Sequence, residues 1–254
     1  LNCLQTWHEA TGDARVLELM RKYFAFELTI PDDQFLPPYW QQQRAADNLA
    51  SVLWLYERAP DPQLLELAKK IHRHTANWTD GIPDWHNVNM AQAFGGPATY
   101  WRVSRDRKHL DAAERNFREI RDTYGQVPGG MFGGDENCRP GFADPRQAIE
   151  TCGMVEMMLS CERLFAITGD AVWAERCEDV AYNSLPAAFM PDYSGLRYLT
   201  SPNMVQSDAS PKAPGLQNGG NMLEMRCDDH RCCQHNAGHG WPYFSEHAWM
   251  ATQD

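Results

Sequence analysis

The chain has 254 residues, of which 43% are hydrophobic and 22% are charged, and its formal net charge is −11. This length and composition indicate one large globular domain or two small ones with a substantial buried core. The negative charge, without any run of Lys or Arg longer than two residues, argues against nucleic acid and anionic membranes as partners. No apolar stretch approaches the ~20 residues of a membrane-spanning helix, so we expect no membrane insertion.

The chain begins and ends abruptly. The sequence of residues 1–13 resembles the C-terminal end of a helix, and residues 249–254 end the chain just as abruptly. We therefore expect residues 1–254 to form a single domain within a longer protein. A leader peptide could not be recognised in such a piece, so the compartment stays open between the cytoplasm and the periplasm of a bacterium. The eight cysteines could form four disulfides, but a core of this size needs no cross-links, and we expect mostly reduced thiols.

Taken in chain order, apolar residues recur at helical spacing in several segments. These segments are residues 16–24, 50–56, 64–71, 112–120, 154–165 and 174–181. Short turns place an Asp at or near the start of a following helix, where its carboxylate can cap the backbone N–H groups. The aspartates in these turns are Asp13, Asp61, Asp106 and Asp170. Turns this short predict antiparallel helix pairs.

Longer connections rich in Pro, Gly and aromatic residues separate the helix pairs, at 30–40, 78–86, 125–146 and 190–222. This alternation predicts an all-α fold of the α/α toroid class, a partial six-hairpin barrel whose long connections gather over one mouth. An α-solenoid has the same helix pairs and is the alternative. We favour the toroid because the long connections carry the residues suited to chemistry. Residues 195–200 and 221–225 could pair as a small β-hairpin insertion.

Polar residues of interest lie at predicted helix starts. Residues 41–44, Gln-Gln-Gln-Arg, open a helix that could line the interior. Trp85 and His86 precede a second such helix. Trp85 could wall a cleft, and His86 could donate a hydrogen bond to a ligand oxygen. The alternative for His86 is a capping role at the helix start.

A glycine-rich segment, residues 129–134, ends in Asp135 and Glu136. It lacks the Lys-Ser/Thr pair of a phosphate-binding loop, which argues against a nucleotide site. Glu136 could act as a general acid if it is partly buried. The alternative is a solvated loop carboxylate.

Two groups of thiols give the strongest indication of a functional site. Glu150 and Cys152 lie two residues apart, and Cys232 and Cys233 are adjacent. Adjacent cysteines do not easily bridge each other, but both can point at one metal ion. Three thiols and one carboxylate can fill the four positions of a tetrahedral zinc site, where a thiol becomes a nucleophilic thiolate. Alternatively, these are small buried thiols that pack as apolar groups. His235, close to the cysteine pair, could be a polar neighbour or a surface residue.

Together, residues 129–137, 144–152 and 231–236 resemble the catalytic domain of glycoside hydrolase family 127, the β-L-arabinofuranosidases and their relatives. The resemblance runs through essentially the whole chain, and Glu-Thr-Cys followed by Cys-Cys is a specific combination. It implies part of an α/α-barrel catalytic domain, without its N-terminal helices and without any C-terminal β domain. It also implies a retaining glycosidase that releases terminal β-L-arabinofuranose or a related sugar from an oligosaccharide or glycoside.

The resemblance also assigns roles to individual residues. It implies a Zn²⁺ ion bound by one carboxylate and three thiols, those of Glu150, Cys152, Cys232 and Cys233. Of these, Cys232 resembles the nucleophile. Glu136 resembles the general acid/base, and His86 resembles a histidine that contacts the sugar. Trp85 and His235 are further candidates for substrate binding.

Two other kinds of protein could carry the same residues. One is a carbohydrate-binding or scaffold domain whose zinc is structural, which predicts a closed site with Glu136 away from the sulfurs. The other is an α/α-barrel glycosidase or lyase that uses two carboxylates, drawn from Asp135, Glu136 and Asp144. Such an enzyme would stay active after Cys232→Ala.

Overall fold

The computed structural model of the chain describes residues 1–126, 130–205, 208, 210–212, 225–226 and 231–251. Helices predominate in this part of the chain, as the apolar spacing predicts. They are α1 (Asn2–Thr11), α2 (Ala14–Thr29), α3 (Trp40–Gln43), α4 (Ala46–Arg58), α5 (Pro62–His74), α6 (Asn87–Ala93), α7 (Gly96–Ser104), α8 (Lys108–Tyr124), α9 (Thr151–Thr168), α10 (Ala171–Asp179), α11 (Leu185–Ala187) and α12 (Arg231–Glu246). A π-helical turn, Val180–Ser184, joins α10 to α11. Within the described residues, none of these helices combines the length and the apolar composition that a bilayer span requires.

The helices form two layers of antiparallel pairs. α1 pairs with α2, α4 with α5, α7 with α8, and α9 with α10. The first members of successive pairs also contact one another, since α4 packs on α7, both α6 and α7 pack on α9, and α9 packs on α12. Outer helices such as α2 and α5 pack against each other behind this inner layer. The described residues thus form an arc with an inner and an outer layer of helices.

Aspartate caps begin α2, α5 and α10, as the sequence predicts. The carboxylates of Asp13, Asp61 and Asp170 accept backbone N–H groups of these helices at 3.0, 2.9 and 3.1 Å. Asp106 accepts the N–H of Lys108 in the same way at the start of α8. Such caps satisfy N–H groups that have no partner inside the helix. Because these turns are short, they all lie at one end of the helix pairs.

The described residues of the long connections lie at the opposite end of the arc. They lead from the end of an outer helix to the start of the next inner one, at 30–45, 75–86, 125–150 and 188–230. The inner helices α4, α6, α9 and α12 therefore all begin at this end, which we call the mouth. A helix N-terminus carries partial positive charge, so the mouth favours anionic groups.

Two pairs of short strands lie at the mouth, formed by β1 (Ile149–Glu150), β2 (Gly195–Leu196), β3 (Leu199–Thr200) and β4 (Met225–Arg226). The expected pairing of 195–200 with 221–225 is correct only in part. β2 pairs antiparallel with β4, whereas β3 pairs antiparallel with β1 and places Leu199 opposite Glu150. Residues 221–224 lie outside the described residues, as does Gly129 of the glycine-rich segment.

Buried apolar side chains form three clusters, two of them between the helix layers. The third is small and lies beside the strands at the mouth. It contains Cys152 and Cys233 together with Tyr198 and Leu199. Two of the predicted metal ligands are therefore buried in this small apolar cluster, which we call the apolar floor.

A cluster of aromatic rings between α5, α7 and α8 contains two histidines whose pKa values are lowered. The His72 ring stacks on Tyr100 with centroids 3.6 Å apart, and His109 meets both rings edge-on. Burial, with a smaller contribution from His109, lowers the pKa of His72 from 6.5 to about 4. Burial likewise lowers the pKa of His109. In the window between the unfolded and folded pKa values of His72, the unfolded chain binds more protons, so acidification through this window favours unfolding.

We expect the melting temperature to fall as the pH is lowered from about 7 to about 4, and His72→Phe to remove part of that fall. Phenylalanine keeps a ring against Tyr100 but does not titrate. Near pH 5 the difference should amount to about 1 kcal/mol, after discounting for the partial exposure of the ring. Scanning calorimetry of both proteins across this range measures it. The same pH dependence in both proteins would contradict the assignment.

Candidate active site

Three thiols lie in the first turns of two inner helices at the mouth. Cys152 is the second residue of α9, and Cys232 and Cys233 are the second and third residues of α12. α9 and α12 pack against each other along their lengths. Because a helix N-terminus stabilises a thiolate, both positions are electrostatically suited to hold a cation or to react.

The structure brings all four predicted metal ligands together. The ligand atoms of Glu150, Cys152, Cys232 and Cys233 all lie within 4.8 Å of one another. The Sγ atoms of Cys152 and Cys233 are 3.4 Å apart, and the Cys232 thiol contacts both of these thiols. Sulfurs that share a tetrahedral zinc ion are about 3.8 Å apart. The cluster therefore has the dimensions of a single metal site.

Glu150 and Cys152 face the same point because the backbone changes conformation between them. Glu150 is extended, with φ −75° and ψ 134°, and immediately precedes α9. The intervening Thr151 is held at both ends, since its N–H donates to the Tyr198 carbonyl at 2.9 Å and its hydroxyl to the Arg197 carbonyl at 2.6 Å. On a continuous helix, side chains two residues apart diverge. The strand-to-helix junction brings them to one side.

The electrostatics of the cluster call for a positive charge. Glu150 is 2% exposed, and burial, the nearby Glu136 and Cys232 raise the pKa of its carboxyl well above the usual range. Contacts with the thiols of Cys232 and Cys233 raise the pKa of Cys152, and burial raises the pKa of Cys233. Among the described residues, Oε2 of Glu150 has no hydrogen-bond partner. A buried oxygen without a partner costs free energy, which a bound cation would offset.

The donor set fits zinc. Thiolates are soft ligands that zinc prefers to the hard cations magnesium and calcium, and one carboxylate completes four-coordination. The cluster in the described residues combines these two ligand types in the ratio of three to one. Glu150, Cys152 and Cys233 are buried, whereas Cys232 lies on the solvent side of the cluster.

A second carboxylate, Glu136, lies beside the cluster and faces His86. Its Oε2 is 3.4 Å from Nε2 of His86. One ring nitrogen of His86 and one carboxylate oxygen each of Glu136 and Glu150 all lie within 4.8 Å of one another. The glycine-rich segment is tied to the start of α6 by two backbone hydrogen bonds. Asn87 N–H donates to the Glu136 carbonyl, and Cys138 N–H donates to the Trp85 carbonyl, both at 2.8 Å.

Of the two roles that the sequence offers for His86, the structure shows the capping role, and contact with a ligand stays a prediction. The Nδ1 of His86 accepts the N–H of Asn89 at 3.4 Å and so caps α6. In the neutral ring, a nitrogen that accepts a hydrogen bond carries no proton, so the proton lies on Nε2. The capping bond therefore aims an N–H group at Glu136 and at the space beside it.

The other two predicted substrate-binding residues lie further from the cluster. Trp85 is half-buried, and its ring packs edge-on against Tyr124. Its contact with the loop that carries Glu136 is made by its backbone carbonyl, which accepts the Cys138 N–H. His235 is exposed, one helical turn beyond Cys232 on α12 and on the same face. Within the described residues, no hydrogen bond or ion pair links His235 to the cluster.

The structure adds a polar network that the sequence does not predict. Asp84 accepts the backbone N–H of His86 and the side-chain amide of Asn89, both at 2.9 Å, and also the hydroxyl of Tyr39. The oxygen of the Asn89 amide accepts Nε of Arg44 at 2.7 Å. The expectation that residues 41–44 line the interior is correct only in part, since Gln43 is buried and Arg44 braces the start of α6, whereas Gln41 is exposed. The only indication of this network in the sequence is the spacing of His86 and Asn89, which places both on one helical turn.

Asp135 and Asp144 have structural contacts. Asp135 is fully buried, and its carboxylate accepts the Ala148 N–H at 2.8 Å. Asp144 pairs with Arg146 at 2.7 Å, and this hydrogen bond lowers its pKa from 3.8 to about 2. Both carboxylates stabilise the loop that carries Glu136.

Comparison with known proteins identifies the family. The family model described as β-L-arabinofuranosidase, GH127 catalytic domain, matches residues 1–246. The chain belongs to this family. None of the curated proteins compared with the chain matches it.

Solved structures share the fold. The chain is similar to a glycoside hydrolase (18% identity, TM-score 0.61, covering 94% of this chain and 44% of that one). It is also similar to a polysaccharide lyase, with 12% identity and a TM-score of 0.58 over 98% of this chain and 74% of that one. A GH127 β-arabinofuranosidase has 20% identity and a TM-score of 0.55 over 76% of this chain and 33% of that one. The family and the two helix layers confirm the predicted α/α toroid class. The chain spans only a third of the length of that β-arabinofuranosidase.

Proposed function

We propose that this chain carries the catalytic centre of a zinc-dependent retaining glycoside hydrolase. Its substrate is an oligosaccharide or glycoside that ends in β-L-arabinofuranose or a related sugar. The observation that supports this most is the mutual proximity of one carboxylate and three thiols, with Glu136 and His86 directly beside them. Membership of the β-L-arabinofuranosidase family supports the sugar.

In this proposal zinc is held by the cluster formed by Glu150, Cys152, Cys232 and Cys233. When bound, zinc supplies the positive charge that keeps the thiols deprotonated and makes sulfur an adequate leaving group. Cys152 and Cys233 are buried on the apolar floor and serve only to hold the ion. Cys232 lies on the solvent side, where a sugar can reach its sulfur.

The reaction takes place in two displacements. In the first, Sγ of Cys232 attacks the anomeric carbon, the glycosidic C–O bond breaks, and Glu136 gives its proton to the departing oxygen. In the second, Glu136 takes a proton from water, the water oxygen attacks the same carbon, and the C–S bond breaks with its electron pair on sulfur. Two inversions at one carbon retain its configuration. Nε2–H of His86 orients the Glu136 carboxyl and can donate to a sugar hydroxyl.

The alternatives explain fewer contacts. A structural zinc site would not explain why Glu136 and His86 lie beside the cluster. A pair of catalytic carboxylates would need Asp135 or Asp144, and both are committed to contacts that stabilise the loop.

Glu136→Gln tests the proposal through the leaving group. We expect kcat/KM for an arabinofuranosyl disaccharide to fall by about 10²- to 10⁴-fold, because its leaving oxygen needs a proton. For p-nitrophenyl β-L-arabinofuranoside the fall in the first step should be much smaller, since p-nitrophenolate leaves unprotonated. Steady-state kinetics on the two substrates measures this difference.

Glu18→Gln, which removes an exposed carboxylate on α2, is the matched control and should leave both rates unchanged. An equal loss of kcat/KM on both substrates would show that Glu136 is not the proton donor. A wild-type chain with bound zinc and no activity on any arabinofuranoside would favour the structural zinc site.

A further inference from the structure

Two aromatic side chains at the mouth have no role in the chemistry described above. Tyr39 and Trp40 lie in the connection between α2 and α4, and they are 41% and 47% exposed. Large aromatic rings left open to solvent next to a polar cleft are suited to bind the C–H-rich face of a sugar.

The two rings are held in place by the network around His86. The Trp40 ring meets the His86 ring edge-on at 5.0 Å, and the guanidinium of Arg44 lies 4.6 Å from its centroid. The Tyr39 hydroxyl donates to Asp84 and accepts the amide of Asn89 at 3.1 Å. Rings fixed in this way lose little conformational entropy when a ligand binds.

The contacts of Trp40 point to the part of a substrate that the rings would meet. Cys232 and Glu150 belong to one cluster, Glu150 lies beside Glu136 and His86, and His86 contacts Trp40. Trp40 thus reaches the site through His86, which is also the partner of the acid Glu136. The acid protonates the oxygen of the leaving group, so a ring that packs on the partner of the acid is placed to meet the leaving group.

We infer that Trp40, supported by Tyr39, is a stacking platform for the sugar ring of the leaving group. This inference rests on the proposed function and adds to it a subsite for a second sugar. It makes the preferred substrate an oligosaccharide rather than a simple alkyl glycoside.

Trp40→Ala tests the platform when two substrates are compared. For an arabinofuranosyl disaccharide we expect kcat/KM to fall by about tenfold or more, the usual effect of removing a buried aromatic contact. For methyl β-L-arabinofuranoside, whose leaving group cannot cover the ring, the change should be less than about threefold. Trp40→Phe should restore most of the loss. Trp249→Ala, which removes a tryptophan that is 93% exposed after α12, is the control and should change neither rate.

A binding measurement keeps this test separate from that of the proposed function. A thio-linked arabinofuranosyl disaccharide, titrated by calorimetry into the full chain, should bind about tenfold more weakly to Trp40→Ala than to the wild type. If disaccharide binding depends on Trp40 but no arabinofuranoside is hydrolysed, the stacking platform is supported and the proposed enzymatic function is contradicted. Hydrolysis with equal disaccharide affinity in both proteins, or no binding to the wild type, would overturn the platform.

Discussion

Replacement of Cys232 by alanine is expected to lower kcat on p-nitrophenyl β-L-arabinofuranoside by on the order of 10⁴-fold or more. The thiol on the solvent side of the cluster is the only one of the three cluster thiols that a sugar can approach, since Cys152 and Cys233 are buried. In the proposed reaction no covalent step is possible without the sulfur, and attack by water is expected to be far slower. Release of p-nitrophenol measures the effect. Cys3→Ala removes an exposed thiol on α1 and should leave kcat unchanged.

Cys232 would also hold the metal, so a second variant separates its two roles. Cys233→Ala removes a buried ligand but no nucleophile. We expect excess zinc to restore part of the activity of Cys233→Ala and none of that of Cys232→Ala. An active Cys232→Ala protein would show that a carboxylate or water attacks the sugar, as in the two-carboxylate alternative.

Replacement of Cys152 by alanine is expected to remove the zinc and to destabilise the fold. In the wild type, a tightly bound ion should raise the free energy of unfolding by about 4 kcal/mol when its concentration is about a thousand times Kd. For a domain of this size that corresponds to roughly 10 °C in melting temperature. A chelator should therefore lower the melting temperature of the wild type and have little effect on Cys152→Ala. Zinc analysis and thermal melts measure both.

The matched control lies on the same helix. Cys161 is a fully buried thiol of α9 that is surrounded by apolar side chains and lies outside the cluster. Cys161→Ala should lose about 1 kcal/mol from the small cavity, keep its zinc and respond to the chelator as the wild type does. If the chelator destabilised none of the proteins, the thiols would be packing residues and not ligands.

Much of the fold was predictable because its signals are local. The helices α2, α4, α5 and α8 have an apolar face at helical spacing, and Asp13, Asp61 and Asp170 cap the helices whose starts they were expected to mark. The change from strand to helix between Glu150 and Cys152 lets both side chains reach one ion, and it is set by the local backbone conformation.

The contacts across the mouth could not be predicted in the same way. β1 and β3 are two residues long, too short for an alternating pattern, so nothing in the sequence indicated their pairing. The contact between His86 and Glu136 joins loops fifty positions apart, and it depends on backbone hydrogen bonds that any residue type can form. Tyr39 and Trp40 belong to a connection without periodicity, and only the three-dimensional structure places them beside His86.

X-ray absorption at the zinc edge of the purified protein tests the metal centre most directly. Our account predicts stoichiometric zinc with about three sulfur neighbours at ~2.3 Å and one oxygen neighbour at ~2.0–2.2 Å. Zinc surrounded only by nitrogen and oxygen, or a protein that takes up no zinc while its four ligand side chains are intact, would contradict it.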